Sequence, residues 1–229
     1  MLTEAHLRAM RAWQSTDPDP ATSAALENLL EKAAHGDERA ADELADAFSG
    51  RLAFGTAGLR AALGPGPNRM NRVVVTQAAA GLGRYLIAAG HDGARVLIGY
   101  DARYNSDVFA RDTAQVLAGL GLRPMLTQTH VPTPVVAFGI GHYDCVAGVV
   151  VTASHNPPQD NGYKVYVGPS QIVPPTDEQI AAHIADAASR PLAEIPRSDA
   201  YETVGEPLLE AYVARVASLV PAAAPRDLV

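Results

Sequence analysis

The sequence predicts an α/β protein: a three-layer α/β/α sandwich on a mixed, mostly parallel sheet, with a helical N-terminal extension. Three observations carry this. Short apolar runs at 95–101, 122–127 and 144–151, bounded by turn residues, read as buried strands by their length and flanks. Helical patterns alternate with them, and strand–helix–strand–helix–strand alternation gives a parallel sheet covered by helices. The first fifty residues show helical periodicity alone, so they stand outside that alternation.

In chain order, residues 3–14 form a weakly amphipathic helix. Asp17-Pro18-Asp19-Pro20 breaks it, because each proline drives the residue before it out of the α region. Thr22 is placed to cap a second helix through Leu26, Leu29, Leu30 and Ala33, ended by Gly36. Asp37 caps a third, with Ala40, Ala41, Leu44, Ala45 and Phe48 on one face. Glycine then concentrates in Phe54-Gly55-Thr56-Ala57-Gly58-Leu59-Arg60 and Gly64-Pro65-Gly66-Pro67-Asn68, which read as shaped loop. Asn71 caps a helix over 73–89. After the strand 95–101, Asn105 or Ser106 starts a helix closed by Gly119 and Gly121. Val131-Pro132-Thr133-Pro134 turns into a short helix ending at Gly141. The strand 144–151 leads to a polar loop, 154–162, and a returning strand, 163–167, with Asn161-Gly162 as the turn between them. A helix runs from Thr176 to Ser189, residues 191–198 read as linker, and 206–219 form a last amphipathic helix. The expected division is 1–50 for the extension, 51–200 for the α/β domain, and 201–229 for a linker helix opening a truncated second domain.

Composition sets limits. The chain has 229 residues, a formal charge of −7 and a hydrophobic fraction of 48%, which are globular values. A negative chain is a poor coat for nucleic acid. One cysteine, Cys145, excludes an intrachain disulfide framework and a cysteine-based zinc site; at the start of a buried strand it reads as a packed thiol. Apart from His155, the histidines (His6, His35, His91, His130, His142 and His183) are scattered with no metal-ligand spacing. No apolar run approaches the roughly 20 residues that span a bilayer, and the N-terminus lacks a signal-peptide block. The expectation is a soluble, cytoplasmic protein with no nucleic-acid or membrane partner.

Ligands of open α/β sheets sit beyond the carboxyl ends of strands. The strand 144–151 ends there in Thr152-Ala153-Ser154-His155-Asn156-Pro157-Pro158. Ser154 is thus held on a loop over a rigid strand, stiffened by two prolines whose φ is fixed. The chain folds back to bring Lys164 toward Ser154, and a serine hydroxyl beside a lysine suits nucleophilic or phosphoryl chemistry. A hairpin-like loop with a hydroxyl cap is the plain alternative. Other chemistries lack their marks. Gly64-Pro65-Gly66-Pro67 has no Lys-Ser/Thr of a P-loop. Gly81-Leu82-Gly83 lacks a third spaced glycine. Ala153-Ser154-His155 is not the Gly-x-Ser-x-Gly of a serine hydrolase. Gly55 and Gly58 read as room for close backbone approach, Asp101 and Arg103 as an ion pair shaping a strand end, and Tyr163 and Tyr166 as packing residues.

The serine loop, followed by Asn161-Gly162-Tyr163-Lys164, closely resembles the active-site loop of the phosphoglucomutase/phosphomannomutase (α-D-phosphohexomutase) superfamily. Residues 54–60 resemble its N-terminal signature, Gly99-Tyr100-Asp101-Ala102-Arg103 its Gly-x-Asp-x-Arg segment, and 131–134 its connecting loop. The helical leader and Asn68-Arg69-Met70-Asn71 look most like the branch of phosphopentomutases and glucose-1,6-bisphosphate synthases. The resemblance implies a phospho-sugar mutase in which Ser154 carries a phosphoryl group between two hydroxyls of a sugar phosphate, through a sugar bisphosphate that also activates the enzyme. It implies Lys164 as general acid/base, Arg60 as support for phosphoserine charge, and His155 in a secondary proton role. Thr56, Gly58, Asn156 and Arg103 would lie near the phosphate. It implies Mg²⁺ bound through the phosphate of Ser154 and an Asp-x-Asp-x-Asp loop that this sequence lacks. Members of the superfamily usually have four domains, so the expectation is a catalytic-serine portion that is inactive alone, a fragment or a split or truncated product. The alternative is a non-catalytic α/β binding module derived from such an enzyme. The sugar, whether glucose, mannose, pentose or glucosamine phosphate, stays open.

Overall fold

A computed structural model describes residues 2–56, 58–168, 170–221 and 224. The extension forms α1 (Glu4–Thr16), α2 (Pro20–Ala34) and α3 (Glu38–Ala47). Asp37 caps α3 as expected, accepting from the amides of Arg39 and Ala40. The cap of α2 is Asp19 rather than Thr22. Pro20, with φ already near the helical value, starts the first turn one residue after Asp19, and the Thr22 hydroxyl donates instead to Asp17 Oδ2 at 2.7 Å. Met10, Leu26, Leu30 and Leu44 form a small core under these helices, with Trp13 edge-on to Phe48. Arg69 pairs with Asp46, and the Asn68 amide donates to Ala47 O, fastening the extension to the rest.

The strands are β1 (Leu59–Ala62), β2 (Arg95–Tyr100), β3 (Arg123–Thr127), β4 (Ala147–Val151), β5 (Asp160–Val167), β6 (Ser170–Gln171) and β7 (Glu202–Val204). Their order is β1-β5-β4-β2-β3-β7, with β6 also on β5. β5 is antiparallel to all three of its neighbours and the remaining pairings are parallel, so six of seven strands run one way. α4 (Arg72–Ala88), α5 (Ser106–Gly119) and α7 (Thr176–Ala188) cover one face; α6 (Thr133–His142) and α8 (Glu206–Ala217) cover the other. The strand residues divide by parity: Val96, Ile98, Val149, Val151, Tyr163 and Val165 join the first core, while Leu97, Met125, Val150 and Tyr166 join the second. The expected three-layer architecture is therefore the one observed. Among the described residues, no helix is long and apolar enough to cross a membrane.

The structure corrects three further local expectations. Asn161-Gly162 is not a turn, because both residues lie inside β5. Asn161 is fully buried, and its Nδ2 donates to Tyr104 O and Ser106 Oγ, each at 3.0 Å. A side chain on Gly162 would come within 2.7 Å of both Leu59 O and Thr152 O. The pair thus serves interior crowding, and the reversal falls earlier, between Ser154 and Gln159. The expected linker 191–198 is packed: Ile195 is buried, and Arg197 donates to Asp112 Oδ1 at 2.7 Å and Thr76 Oγ1 at 2.6 Å. Asp112, also gripped by Arg72 Nε and Nη2, is a buried carboxylate shared by two guanidiniums. Finally, the sheet continues past residue 200. β7 pairs with β3, and Leu208 of α8 is buried in the second core.

Two helices meet with no room for a side chain at Gly81, where a Cβ would sit 2.6 Å from Ile184 Cα and N. Gly81→Ala is expected to cost about 1–3 kcal/mol by overpacking, measured as a lower denaturant midpoint. Gly141→Ala, facing open space in α6, should leave the midpoint unchanged or raise it. Burial pushes the Cys145 thiol up to about 11. Cys145 should therefore resist iodoacetamide at pH 8 in the folded protein and react on unfolding, since only the thiolate is nucleophilic; rapid native-state alkylation read by mass would contradict that placement.

Candidate active site

The serine loop begins where β4 ends. Thr152 continues the edge of the sheet, its amide donating to Gly162 O at 3.1 Å. Its hydroxyl then accepts the Ser154 amide at 3.0 Å, a local bond that turns the chain out of strand geometry. Ser154 adopts left-handed backbone, φ 58°, and is exposed. For a residue with a Cβ that conformation costs on the order of 1–3 kcal/mol and persists only where its surroundings impose it.

Arg103 imposes it. Nη1 donates to Pro157 O at 2.8 Å and Asp160 O at 3.0 Å, and Nη2 to Ser154 O at 3.0 Å and Asn156 O at 2.7 Å. Four carbonyls of one loop converge on one planar fork, a geometry suited to guanidinium and not to an ammonium. Asp101 holds the fork from behind, its Oδ2 3.4 Å from Arg103 Nε. Asp101 Oδ1 accepts from the Arg103 amide and from Ser106 Oγ. Ser106 in turn accepts from buried Asn161, so the network reaches β5. The expected ion pair is present, and its larger role is to clamp the serine loop.

Arg60 stands on β1 opposite Gly162. Its Nη1 donates to Asn156 Oδ1 at 3.0 Å, and Asn156 Nδ2 donates to Asp160 Oδ2 at 2.8 Å. Lys164 lies two residues beyond Gly162 and opposite Val150, so Arg60 and Lys164 share one face as diagonal cross-strand neighbours, roughly 7–8 Å apart. Lys164 is half-buried, and among the described residues its ammonium makes neither hydrogen bond nor ion pair. Gly58 permits this register: its φ is +76°, and a Cβ there would overlap the Tyr163 carbonyl oxygen. Gly55 meets open space instead, so close approach is required at one of these two glycines. Thr56 is exposed, with its carbonyl accepting from Gln171 Nε2; Ala57 lies outside the described residues. His155 is exposed and, among the described residues, has no hydrogen-bond partner. The segment 131–134 opens α6 beyond β3, with the Val131 amide donating to Tyr100 O at the end of β2 at 2.8 Å.

In the sequence, Thr152 and Asn161 stand in the loop motif without a side-chain role, and Asp160 is not named. Thr152 has a readable signal: a hydroxyl two residues before the serine can accept its amide. The other two depend on contacts 55 to 57 residues apart in the chain. Among the described residues there is no group of three or more His, Cys, Asp or Glu able to hold a metal, and Asp101 and Asp160 are engaged as above.

Residues 51–191 match the family model described as phosphoglucomutase/phosphomannomutase, alpha/beta/alpha domain I. The chain belongs to the phosphoglucomutase/phosphomannomutase family. It is 51% identical over 155 residues to a protein of Haemophilus influenzae named probable phosphomannomutase, covering 66% of this chain and 32% of that one. It is 39% identical over 183 residues to human phosphopentomutase, covering 76% and 29% respectively. The crystal structure of a Thermus thermophilus protein assigned as a phosphomannomutase superposes with a TM-score of 0.63 at 31% identity, covering 75% of this chain and 37% of that one. The chain thus spans about a third of the length of these curated relatives.

The clamp makes a direct test. In Arg103→Lys, the amides of Ser154, Asn156 and Asp160 should exchange hydrogen at least tenfold faster, about 1.4 kcal/mol of lost protection. Exchange in β2 should be unchanged. Equal protection at the three loop amides would remove Arg103 from this role.

Proposed function

We propose that this chain is the phosphoserine-bearing portion of a phospho-sugar mutase, with Ser154 as the phosphoryl carrier. The observation that supports it most is the serine loop itself. An exposed hydroxyl is held in left-handed backbone by a four-carbonyl arginine clamp, with Arg60 and Lys164 on one adjoining sheet face. The names of the relatives supply the substrate class, a phosphorylated sugar.

The chemistry follows from charge. A phosphoserine carries about −1.5 to −2 at pH 7 and three strong acceptor oxygens. Transfer from it is helped by cations aimed at those oxygens and by groups that move the proton. Arg60 spends one donor on Asn156 and keeps others for a phosphate. In the forward step the Oγ–P bond of Ser154 breaks as a P–O bond to the sugar hydroxyl forms, and one proton passes from that hydroxyl to Oγ. Lys164 is the principal proton carrier and His155 a secondary one. The return step reverses the roles after the bisphosphate turns over, and the same bisphosphate charges an unphosphorylated Ser154. The implied Mg²⁺ would neutralise phosphate charge. This chain's residues do not form a metal site among those described, and the chain would offer that ion an oxygen of the serine phosphate.

In the full-length protein, a sugar bisphosphate should add one phosphoryl mass to wild type and none to Ser154→Ala. Persistent labelling of the variant would refute Ser154 as carrier. The 229-residue chain alone is expected to show little or no mutase turnover, because one missing electrostatic contact of this kind costs about 2.7–4 kcal/mol of barrier.

A further inference from the structure

Asp160 gives its carbonyl to the Arg103 clamp, while its carboxylate stands outside that clamp. The residue opens β5 opposite Ala62, and Arg60 stands opposite Gly162. Strand alternation therefore puts Asp160, Arg60 and Lys164 on one face, with Asp160 and Lys164 on either side of Gly162. A carboxylate and a guanidinium set diagonally across two strands are within reach of direct pairing. Among the described residues Arg60 makes no ion pair; the Asn156 side chain bridges it to Asp160 instead.

The chemistry of the bridge allows one orientation. Arg60 Nη1 donates to Asn156 Oδ1 at 3.0 Å, and Asn156 Nδ2 donates to Asp160 Oδ2 at 2.8 Å. A guanidinium only donates and an ionised carboxylate only accepts. Asp160 thus decides that the carbonyl end of Asn156 meets Arg60. Both bridge residues are also fixed at the backbone. Arg103 holds their carbonyls, and their amides donate to Ala153 O at 3.1 Å and Pro157 O at 3.0 Å. A direct fork with Asp160 would engage two donors of Arg60 and turn its charge toward the carboxylate. The amide bridge holds the guanidinium through Nη1 alone.

We propose that Asp160 is a positioning residue: through Asn156 it sets the direction of the Arg60 guanidinium without pairing with it, so that the other donors of Arg60 face a phosphate on Ser154. The second half of this statement rests on Ser154 as phosphoryl carrier. Two measurements separate the halves. In the 229-residue chain, a held guanidinium gives resolved Nη-proton signals for Arg60. Asp160→Ala should average them and Asp160→Asn should keep them, since its side-chain oxygen can accept the same bond. Amide exchange at Ser154 and Asn156 should match wild type in both, showing a folded, clamped loop. In the full-length protein at saturating sugar bisphosphate, Asp160→Ala should slow phosphorylation of Ser154 by roughly tenfold or more, against the ~10²-fold that misplacing a group by 1 Å can cost. Asp160→Asn should recover most of that rate. Unchanged Arg60 signals in folded Asp160→Ala, or equal loss in both variants, would overturn the positioning role. Unchanged signals in Asp160→Asn with averaged signals in Asp160→Ala, but no labelling of wild type, would uphold the positioning and reject Ser154 as carrier.

Discussion

One guanidinium organises the serine-loop edge of this molecule. Arg103 reaches from the end of β2 across to the loop after β4 and gathers four carbonyls that would otherwise face water or one another. Bonds from a charged donor are worth about 1.5–3 kcal/mol each, enough together to hold Ser154 in a backbone region that serine avoids. The serine is therefore presented by the neighbouring strand as much as by its own. Asp101 fixes the fork and Ser106 links it to buried Asn161, so one hydrogen-bonded network joins loop, helix start and returning strand.

The second constraint is crowding where β1, β5 and the end of β4 meet. Gly58 and Gly162 remove the atoms that would collide with Tyr163, Leu59 and Thr152 carbonyls. With those strands close, residues distant in sequence come onto one face: Arg60 from β1 and Lys164 from β5. The buried charge centre at Asp112 works at another scale. It ties α4, α5 and the segment around Arg197 together, and Arg72 also reaches Pro18 O of the extension.

The layers of the fold were legible because strand and helix periods differ and glycine or proline marks the boundaries. The caps at Asp37 and Asn71 followed from short polar side chains able to accept amide protons. Thr22 misled because Pro20 sets the first turn earlier. Asn161-Gly162 misled because a two-residue signal for a hairpin looks the same when the asparagine is a buried donor and the glycine a point of interstrand contact. The serine and lysine could be read from their motif. The Arg103 clamp could not, since its partners lie more than fifty residues away, and neither could the sheet's extension by β7, three residues with little apolar pattern.

β5 runs against every strand it touches, and this has a consequence for how the gene can vary. Side chains alternate strictly along a strand, so inserting a single codon upstream of Lys164 within β5 would carry the amine through the sheet to the α4 side and bring Tyr163 out in exchange. Such a change could leave every backbone pairing intact while separating the two cations. A length change confined to the loop's outer bend, residues 155–159, would leave that alternation along β5 as it is.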